Sequence, residues 1–274
     1  MDKKIIKIIV VTFLIISIIS ISIIIYARYI GTKNIKVNEI KLVENIPDDF
    51  KGFKIVHISD IQYGKTTFEK ELNELKDKIN LTKPDIVVLT GDLINKETNL
   101  TEDDKKILVD FLSGINAKIN KYVVTGDNDN FDEFDVIIKN GGFINLDNSY
   151  EKIYNGSLNY IMIYGMGNDA NVNLEVNEEN IYKILITHKP DMIDSVVDNF
   201  NLILAGHSLN GLVNLPLIGP LFLEDGAKKY NKDFYLINNT KLYISNGIGT
   251  NNYSYRLFNR PSFNFYRMTK KTID

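Results

Sequence analysis

Five apolar runs in this chain end the same way, on a side chain able to hold a cation. HISD closes on Asp60, LTGD on Asp92, VVTGD on Asp127, LITH on His188 and LAGH on His207. Each run has the length and apolar content of a buried strand. In an open α/β sheet, loops and helix N-termini converge on ligands at the carboxyl ends of the strands. A lone aspartate there is ordinarily a turn residue or an N-cap. Five donors in strand order point instead to one shared edge, and Asp with His suits a divalent ion such as Zn, Mn or Fe.

The segments between these runs fit an α/β chain. Strands are expected at Ile35 to Val43, Phe53 to Ile58, Asp85 to Leu89 and Lys121 to Thr125. Thr66, with Glu69 three residues on, reads as the capping box of a helix whose apolar stripe is Phe68, Leu72, Leu75 and Ile79. Thr101 opens a second helix with Ile107, Leu108, Phe111, Leu112 and Ile115 on one face, and Asp103-Asp104 suits its N-terminal dipole. From residue 152 the chain becomes strand-rich: hairpin material at 152–164, then Ile181 to Thr187, Leu202 to Ala205, Phe234 to Ile237, Leu242 to Ser245 and Phe263 to Arg267. A βαβαβ start followed by a strand-rich half predicts two packed sheets with helices outside.

The first 30 residues are different. Ile8 to Ala27 is a run of 20 residues without a charge, ten of them isoleucine. At 1.5 Å per residue it matches a hydrocarbon core of about 30 Å. It is too long for a typical signal-peptide core, and no A-x-A site follows Ala27. Residues 1–30 are therefore expected to be a transmembrane anchor, 31–50 a tether and first strand, and 51–274 the catalytic-type domain. Lys3, Lys4 and Lys7 precede the run compactly, which keeps the N-terminus cytoplasmic and places the domain outside. The chain is expected in the cell membrane as a single-pass protein.

Composition narrows the function. The formal net charge is −3, and more negative beyond the anchor, with no basic helix or aromatic–basic interleaving. A nucleic-acid partner is not expected, because phosphate backbones need clustered cations. The absence of cysteine excludes disulfides and thiolate metal sites.

Several smaller signals read more simply. His57, inside a strand, fits a core residue better than a ligand. Gly165-Met166-Gly167-Asn168-Asp169-Ala170 matches G-x-G-x-x-A, but no helix-like stretch follows, so a turn is expected rather than a dinucleotide site. TGDNDNF (125–131) is not a calcium loop: counting from Asp127, position six is Asp132 rather than Gly and position twelve is Ile138. Asn128 and Asp129 can also be read as capping the next helix. Asn210-Gly211 reads as a turn, and the 214–222 loop, with Pro216 and Pro220, is expected to close over one side of the site. Tyr253, Tyr255, Phe258, Phe263, Phe265 and Tyr266 are expected to pack in the core.

Taken in order, the blocks resemble the calcineurin-like metallophosphoesterases, in particular a membrane-anchored bacterial branch, over residues 50–268. The family's D-x-H, G-D, G-N-H-D, lone His and G-H-x-H stand here as Asp60-Ile61-Gln62, Gly91-Asp92, Gly126-Asp127-Asn128-Asp129, His188 and Gly206-His207-Ser208-Leu209. NGLVNLPLIGPLF (210–222) and RLFNRP (256–261) also look like that branch. The resemblance implies a four-layer α/β/β/α sandwich and two metals bridged by Asp92. It implies Asp60, Gln62, Asp92 and Leu209 around the first metal, and Asp92, Asp127, His188 and His207 around the second.

The departures from the family pattern fall unevenly. The second set keeps two imidazoles and two carboxylates, and can hold one Zn²⁺, Mn²⁺ or Fe²⁺. The first set has lost both imidazoles, leaving Gln62 as a weak amide ligand and Leu209 as none. Asn128 replaces the His that in the family assists the leaving group, and cannot supply a proton at neutral pH. The expected function is phosphoric ester hydrolysis through a degraded site with one ion rather than two, acting on a phosphate-ester small molecule or an envelope component. The alternative is an inactive pseudo-phosphoesterase that serves as a binding or scaffold module, with a protein partner.

Overall fold

The computed structural model describes residues 2–168 and 180–271. In chain order it runs α1 (Lys3–Tyr29), β1 (Lys36–Glu44), β2 (Lys54–Ile58), α2 (Glu69–Thr82), β3 (Ile86–Thr90), α3 (Glu102–Ser113), β4 (Asn120–Val124), α4 (Phe134–Asn140) and β5 (Ile144–Asn145). The second half adds β6 (Ser149–Tyr154), β7 (Tyr160–Met166), β8 (Lys183–Thr187), β9 (Leu202–Ala205), β10 (Asn214–Leu215), β11 (Gly219–Pro220), β12 (Phe234–Ile237), β13 (Thr240–Ile244) and β14 (Ser262–Lys270).

The strands form two six-stranded mixed sheets, ordered β1-β14-β2-β3-β4-β5 and β12-β13-β9-β8-β7-β6. Strands β2 to β5 are parallel, as are β7, β8, β9 and β13. Parallel strands buried on both faces read as continuous apolar runs, and their alternation decides which core each residue joins. Ile86 and Val88 of β3, Ile184 and Ile186 of β8, and Leu202 and Leu204 of β9 pack together between the sheets. Val87 and Leu89 face the other way, against Leu72, Leu75 and Ile79 of α2, Leu108, Phe111 and Leu112 of α3, and Ile137 of α4. Leu185, Ile203 and Ala205 turn to the far side of the second sheet. There the covering layer, among the described residues, includes the 3₁₀ turns Pro190–Ser195 and Val197–Asn199. The result is the expected mixed α/β fold of two large sheets with helical layers outside.

Boundaries moved where local signals competed. The first domain helix opens at Glu69 rather than Thr66, and it is the Glu71 carboxylate that accepts from the Phe68 N–H at 3.1 Å. Thr66 is drawn off to hydrogen-bond the Thr250 hydroxyl at 3.0 Å. The Thr101 cap stands as read: its hydroxyl accepts from Asp104 N and Asp104 Oδ2 from Thr101 N. Of the 253–266 aromatics, Phe263, Phe265 and Tyr266 are buried, but Tyr253, Tyr255 and Phe258 are exposed. The 214–222 segment is the β10–β11 hairpin; its neighbours Leu212, Val213, Leu221 and Phe222 lie beside Ile23, Ile24 and Ala27 of α1 rather than over the site. In the G-x-G-x-x-A stretch, Gly165 lies in β7 opposite Ser149, while Asp169 and Ala170 lie outside the described residues. Helix α1 is long and apolar enough to cross a membrane, and of its apolar span only Ala27, at the domain end, is buried.

Replacing Thr101 with Ala removes a reciprocal cap and should cost about 1 kcal/mol in urea unfolding, as capping residues generally do. A loss within error would show that tertiary packing alone fixes the start of α3.

Candidate metal centre

All five strand-end residues lie at the carboxyl edge shared by the two sheets. Asp60, Asp92 and Asp127 follow the neighbouring strands β2, β3 and β4, and His188 and His207 follow the neighbouring strands β8 and β9. The edge is made by tight turns. Asp60, Gln62, Asp92 and His207 all have positive φ, a region costly for side chains other than Gly. Gly126 packs so closely that a Cβ would meet the Asp92 backbone N and Oδ1 at 2.4 Å.

The two imidazoles are the centre of the arrangement. His188 Nδ1 lies 2.7 Å from the Thr90 carbonyl and His207 Nε2 lies 2.8 Å from the Asp225 carbonyl. A carbonyl only accepts, so both of these nitrogens carry hydrogen. The remaining nitrogens, His188 Nε2 and His207 Nδ1, face each other at 3.1 Å. With Asp92 they form a group whose ligand atoms all lie within 4.8 Å of one another. Two lone pairs at that distance require a positive charge between them, a proton or a metal ion. The residues present therefore fit a divalent cation.

Asp92 anchors this group. Its Oδ1 is 3.5 Å from His188 Nε2 and accepts from Asn128 N at 2.9 Å. Its Oδ2 accepts from Asn128 Nδ2 at 2.8 Å and from Gln62 Nε2 at 2.7 Å. The Gln62 orientation is fixed from outside. Asn95 Oδ1 accepts from Glu97 N, so Asn95 presents its NH₂ to Gln62 Oε1 at 2.8 Å, and Gln62 turns its own NH₂ to Asp92. The amide oxygen expected to offer a weak ligand is thus engaged by Asn95. Leu209 is buried, and its side chain packs where a Cβ on Gly247 would fall.

Three acidic side chains play separate parts. Asp60 Oδ2 accepts from Ser59 Oγ and from His207 N, whereas its buried Oδ1 has no hydrogen-bond partner among the described residues. Burial pushes its carboxyl up to about 6, against the pull of His188. Asp127 is half exposed and paired with Lys189 Nζ at 2.5 Å, with Oδ2 3.8 Å from His207 Nδ1. Burial raises its carboxyl, but Lys189 and the histidines bring it below the usual range. Asp129 does not cap the following helix. Its carboxylate accepts from the backbone N–H of Asp92, Leu93 and Gly126, clamping the β3 and β4 turns together, and burial pushes it up to about 7. His188 is raised: burial lowers it, but Asp92 and Asp60 outweigh that. His207 is lowered by burial and by His188. His57 is buried with Nε2 on the Thr90 hydroxyl at 2.8 Å, and burial takes it down to about 3, as suits a core histidine.

The site opens into a cavity of about 240 Å³ lined in part by Asn95, Lys96, Glu224 and Asn251. None of these four, nor Lys189, was marked by the sequence pattern. Lys189 follows His188 directly, and that adjacency to a strand-end donor was the one signal available for it.

With this geometry the comparisons with known proteins agree. The model of the calcineurin-like phosphoesterase family matches residues 53–261. The chain is 29% identical over 258 residues to the metallophosphoesterase YkuE of Bacillus subtilis, covering 89% of this chain and 88% of that one. It is 30% identical over 254 residues to the metallophosphoesterase Cj0846 of Campylobacter jejuni, covering 85% and 64%. It is 24% identical to the phosphodiesterase YaeI of Escherichia coli, covering 78% and 81%. The chain belongs to the calcineurin-like phosphoesterases.

The raised carboxyls give a pH test on chelated protein. Asp60 and Asp129 bind protons more tightly folded than unfolded, so the stability they add is full below about pH 4 and lost as pH rises through about 6 to 7. These two carboxyls should therefore make Tm fall from pH 5 to pH 8, and Asp60→Asn should remove a part on the order of 1 kcal/mol, since about one pH unit separates pH 5 from the folded value of Asp60. Because the lowered His57 and His207 add stability over the same interval, the check is the difference between the two proteins: a pH dependence unchanged in Asp60→Asn would contradict the assignment.

Proposed function

We propose that this chain is a membrane-anchored metallophosphoesterase that hydrolyses a phosphoric ester through a single-ion site of Asp92, His188 and His207, with Asp127 at its edge. The observation that carries this reading is the pair of imidazole lone pairs facing each other at 3.1 Å, each ring fixed by a carbonyl on its other nitrogen. A divalent ion held there, of Mn, Zn or Fe type, supplies positive charge to draw in phosphoryl oxygens and to make water a better nucleophile. Lys96 on the cavity wall adds a cation for the phosphate. Lys189 offsets the charge of Asp127, which would otherwise repel an anionic ester. Asn128 is positioned on Asp92 and can donate a hydrogen bond to a departing oxygen, but not a proton.

The anchor is α1, with Lys3, Lys4 and Lys7 on the cytoplasmic side and the domain outside the cell membrane. The expected substrate is a phosphate-ester small molecule or envelope component, with no nucleic acid.

One observation favours a second reading, a scaffold or binding module without turnover. Gln62 Nε2 and Asn128 Nδ2 both donate to Asp92 Oδ2, and so put amide N–H groups on the oxygen that a bridging carboxylate would offer to a first metal. In that reading the partial positive charge of two amides stands in for an ion.

The first test is metal content of the full-length protein purified in detergent with Mn²⁺ and Zn²⁺ and without chelator. The single-ion reading expects about one ion per chain, lost in His188→Ala, because removing one of three or four ligands sharply weakens such a site. No bound ion would make the scaffold reading the stronger. A second test restores what was lost. Changing Gln62, Asn128 and Leu209 together to His should raise hydrolysis of bis(p-nitrophenyl) phosphate by about 10²-fold or more, the usual worth of a general acid. No gain would mean that the cavity no longer fits a phosphate.

A further inference from the structure

Exposed apolar side chains are spread over the domain, but several of them gather in two loops: Leu217, Ile218, Phe222 and Leu223 in one, Tyr253 and Phe258 in the other. Scattered exposed apolar residues are ordinary, but a contiguous patch marks a binding surface. The loops are joined to each other by a bridge between Val213 and Leu257. They are also fastened to the end of α1, where Arg256 N donates to the Ala27 carbonyl at 2.9 Å and Arg28 Nη1 to the Ser254 carbonyl at 3.3 Å.

Their depth along α1 is informative. On one flank, Leu221, Phe222 and Tyr253 share an almost wholly apolar cleft of about 400 Å³ with Ile23, Ile24 and Ala27. On the other, Phe258 shares a cleft of about 830 Å³ with Ile18 and Ile19, a cleft lined on its domain side by Lys36, Asp233 and Arg260. From Ile18 to Ala27 a helix rises about 14 Å, close to half of a hydrocarbon core. If α1 crosses a bilayer, these loops stand beside its last turns at the depth of one leaflet. Tyrosines at that level, Tyr253 and Tyr255 with Tyr26 and Tyr29 of α1, suit the headgroup boundary.

The residues next to these loops, Glu224 and Asn251, stand on the rim of the site. Glu224 Oε1 accepts from Asn251 Nδ2 at 2.6 Å, and both residues line the cavity that holds Asp60, Asp92 and His207. The residue before Glu224 is the exposed Leu223, and two residues after Asn251 is the exposed Tyr253. The Phe222 and Tyr253 rings sit 4.8 Å apart beside that polar pair. Within two residues on each side, the rim passes from lipid-like to polar.

We propose that residues 212–223 and 253–258 form a lip seated in the bilayer, and that the site takes its phosphoric ester from an amphiphile held in the adjoining leaflet. This rests on the membrane-anchored phosphoesterase reading above and names its substrate class. The acyl part of such a substrate stays among Phe222, Leu223 and Tyr253, while its phosphate enters past Glu224 and Asn251 towards Lys96 and His207.

The chain contains no tryptophan, so a single introduced one reports alone. Full-length Leu217→Trp, Phe258→Trp and, as a control on the exposed β6–β7 turn, Leu158→Trp would be reconstituted in phosphatidylglycerol–phosphatidylcholine bilayers containing lipid brominated high on the acyl chain. Leu217→Trp and Phe258→Trp should be blue-shifted and quenched, and Leu158→Trp should not. Emission from all three alike and unquenched would overturn the seating, whether or not the chain is active; dimerisation in that case would assign the patch to a second copy. Hydrolysis is read separately, on bis(p-nitrophenyl) phosphate in solution and on phosphatidylglycerol in the bilayer. The Leu217→Glu/Ile218→Glu double variant should lose about tenfold or more in kcat/KM on the lipid while staying within about twofold on the soluble ester. Equal loss on both, or loss on neither, would overturn delivery from the leaflet. If the unmodified chain hydrolysed neither ester, the phosphoesterase reading would fail, and delivery with it, while the quenching result would still judge the seating.

Discussion

Two acceptor nitrogens pointed at each other across 3.1 Å cannot rest without a positive charge between them, and the architecture around His188 and His207 serves to keep them there. The Thr90 carbonyl at the end of β3 orients one ring, and the Asp225 carbonyl orients the other. The first contact crosses between the sheets, so it depends on the inter-sheet core of Ile86, Val88, Ile184, Ile186, Leu202 and Leu204 holding β3 against β8. A shift of one residue in either strand would exchange its inward and outward faces and break both the core and the centre.

The turns below the imidazoles are held with equal firmness. Asp129 takes three backbone N–H donors from two different turns, which places Asp92 and Gly126 within van der Waals reach. Such a carboxylate contributes through what it organises: removing it would leave three buried N–H groups unsatisfied, at about 1–3 kcal/mol each. Positive φ at Asp60, Gln62, Asp92 and His207 is tolerated because these hydrogen bonds and the packing of Gly91, Gly126 and Gly206 over-determine the backbone.

Much of this is legible in the amino-acid sequence. Alternating burial within β3, β8 and β9 follows from apolar runs of strand length, and the ordered Asp and His residues located the edge where they meet. What the sequence withheld depends on contacts distant in the chain. Asp129 looks like a helix cap because its partners, the N–H groups of Asp92 and Leu93, lie a crossover away. Gln62 looks like a weak oxygen ligand because its orientation is set by Asn95, and that of Asn95 by the Glu97 N–H. Thr66 looks like an N-cap because its true partner is Thr250, 184 residues further along the chain. Tyr253 and Phe258 look like core because periodicity cannot tell a residue facing protein from one facing another apolar surface.

The substitutions at Gln62 and Asn128 are more coherent than a list of losses suggests. Where the resemblance to the family pattern implies an imidazole, each position carries an amide, and both amides donate to the same oxygen of Asp92. An ionised carboxylate that loses a neighbouring cation in a buried site must find donors or take up a proton. Two amide N–H groups and the Asn128 backbone N–H meet that need while leaving Oδ1 near His188. Asp60, by contrast, retains an unpartnered Oδ1, and its carboxyl is pushed up accordingly. In the proposed single-ion reading, the first half of the site is arranged around Asp92 rather than around an ion, while the second half keeps the opposed lone pairs that only a cation or a proton can satisfy. Such division favours a centre whose one remaining charge is supplied at the histidines.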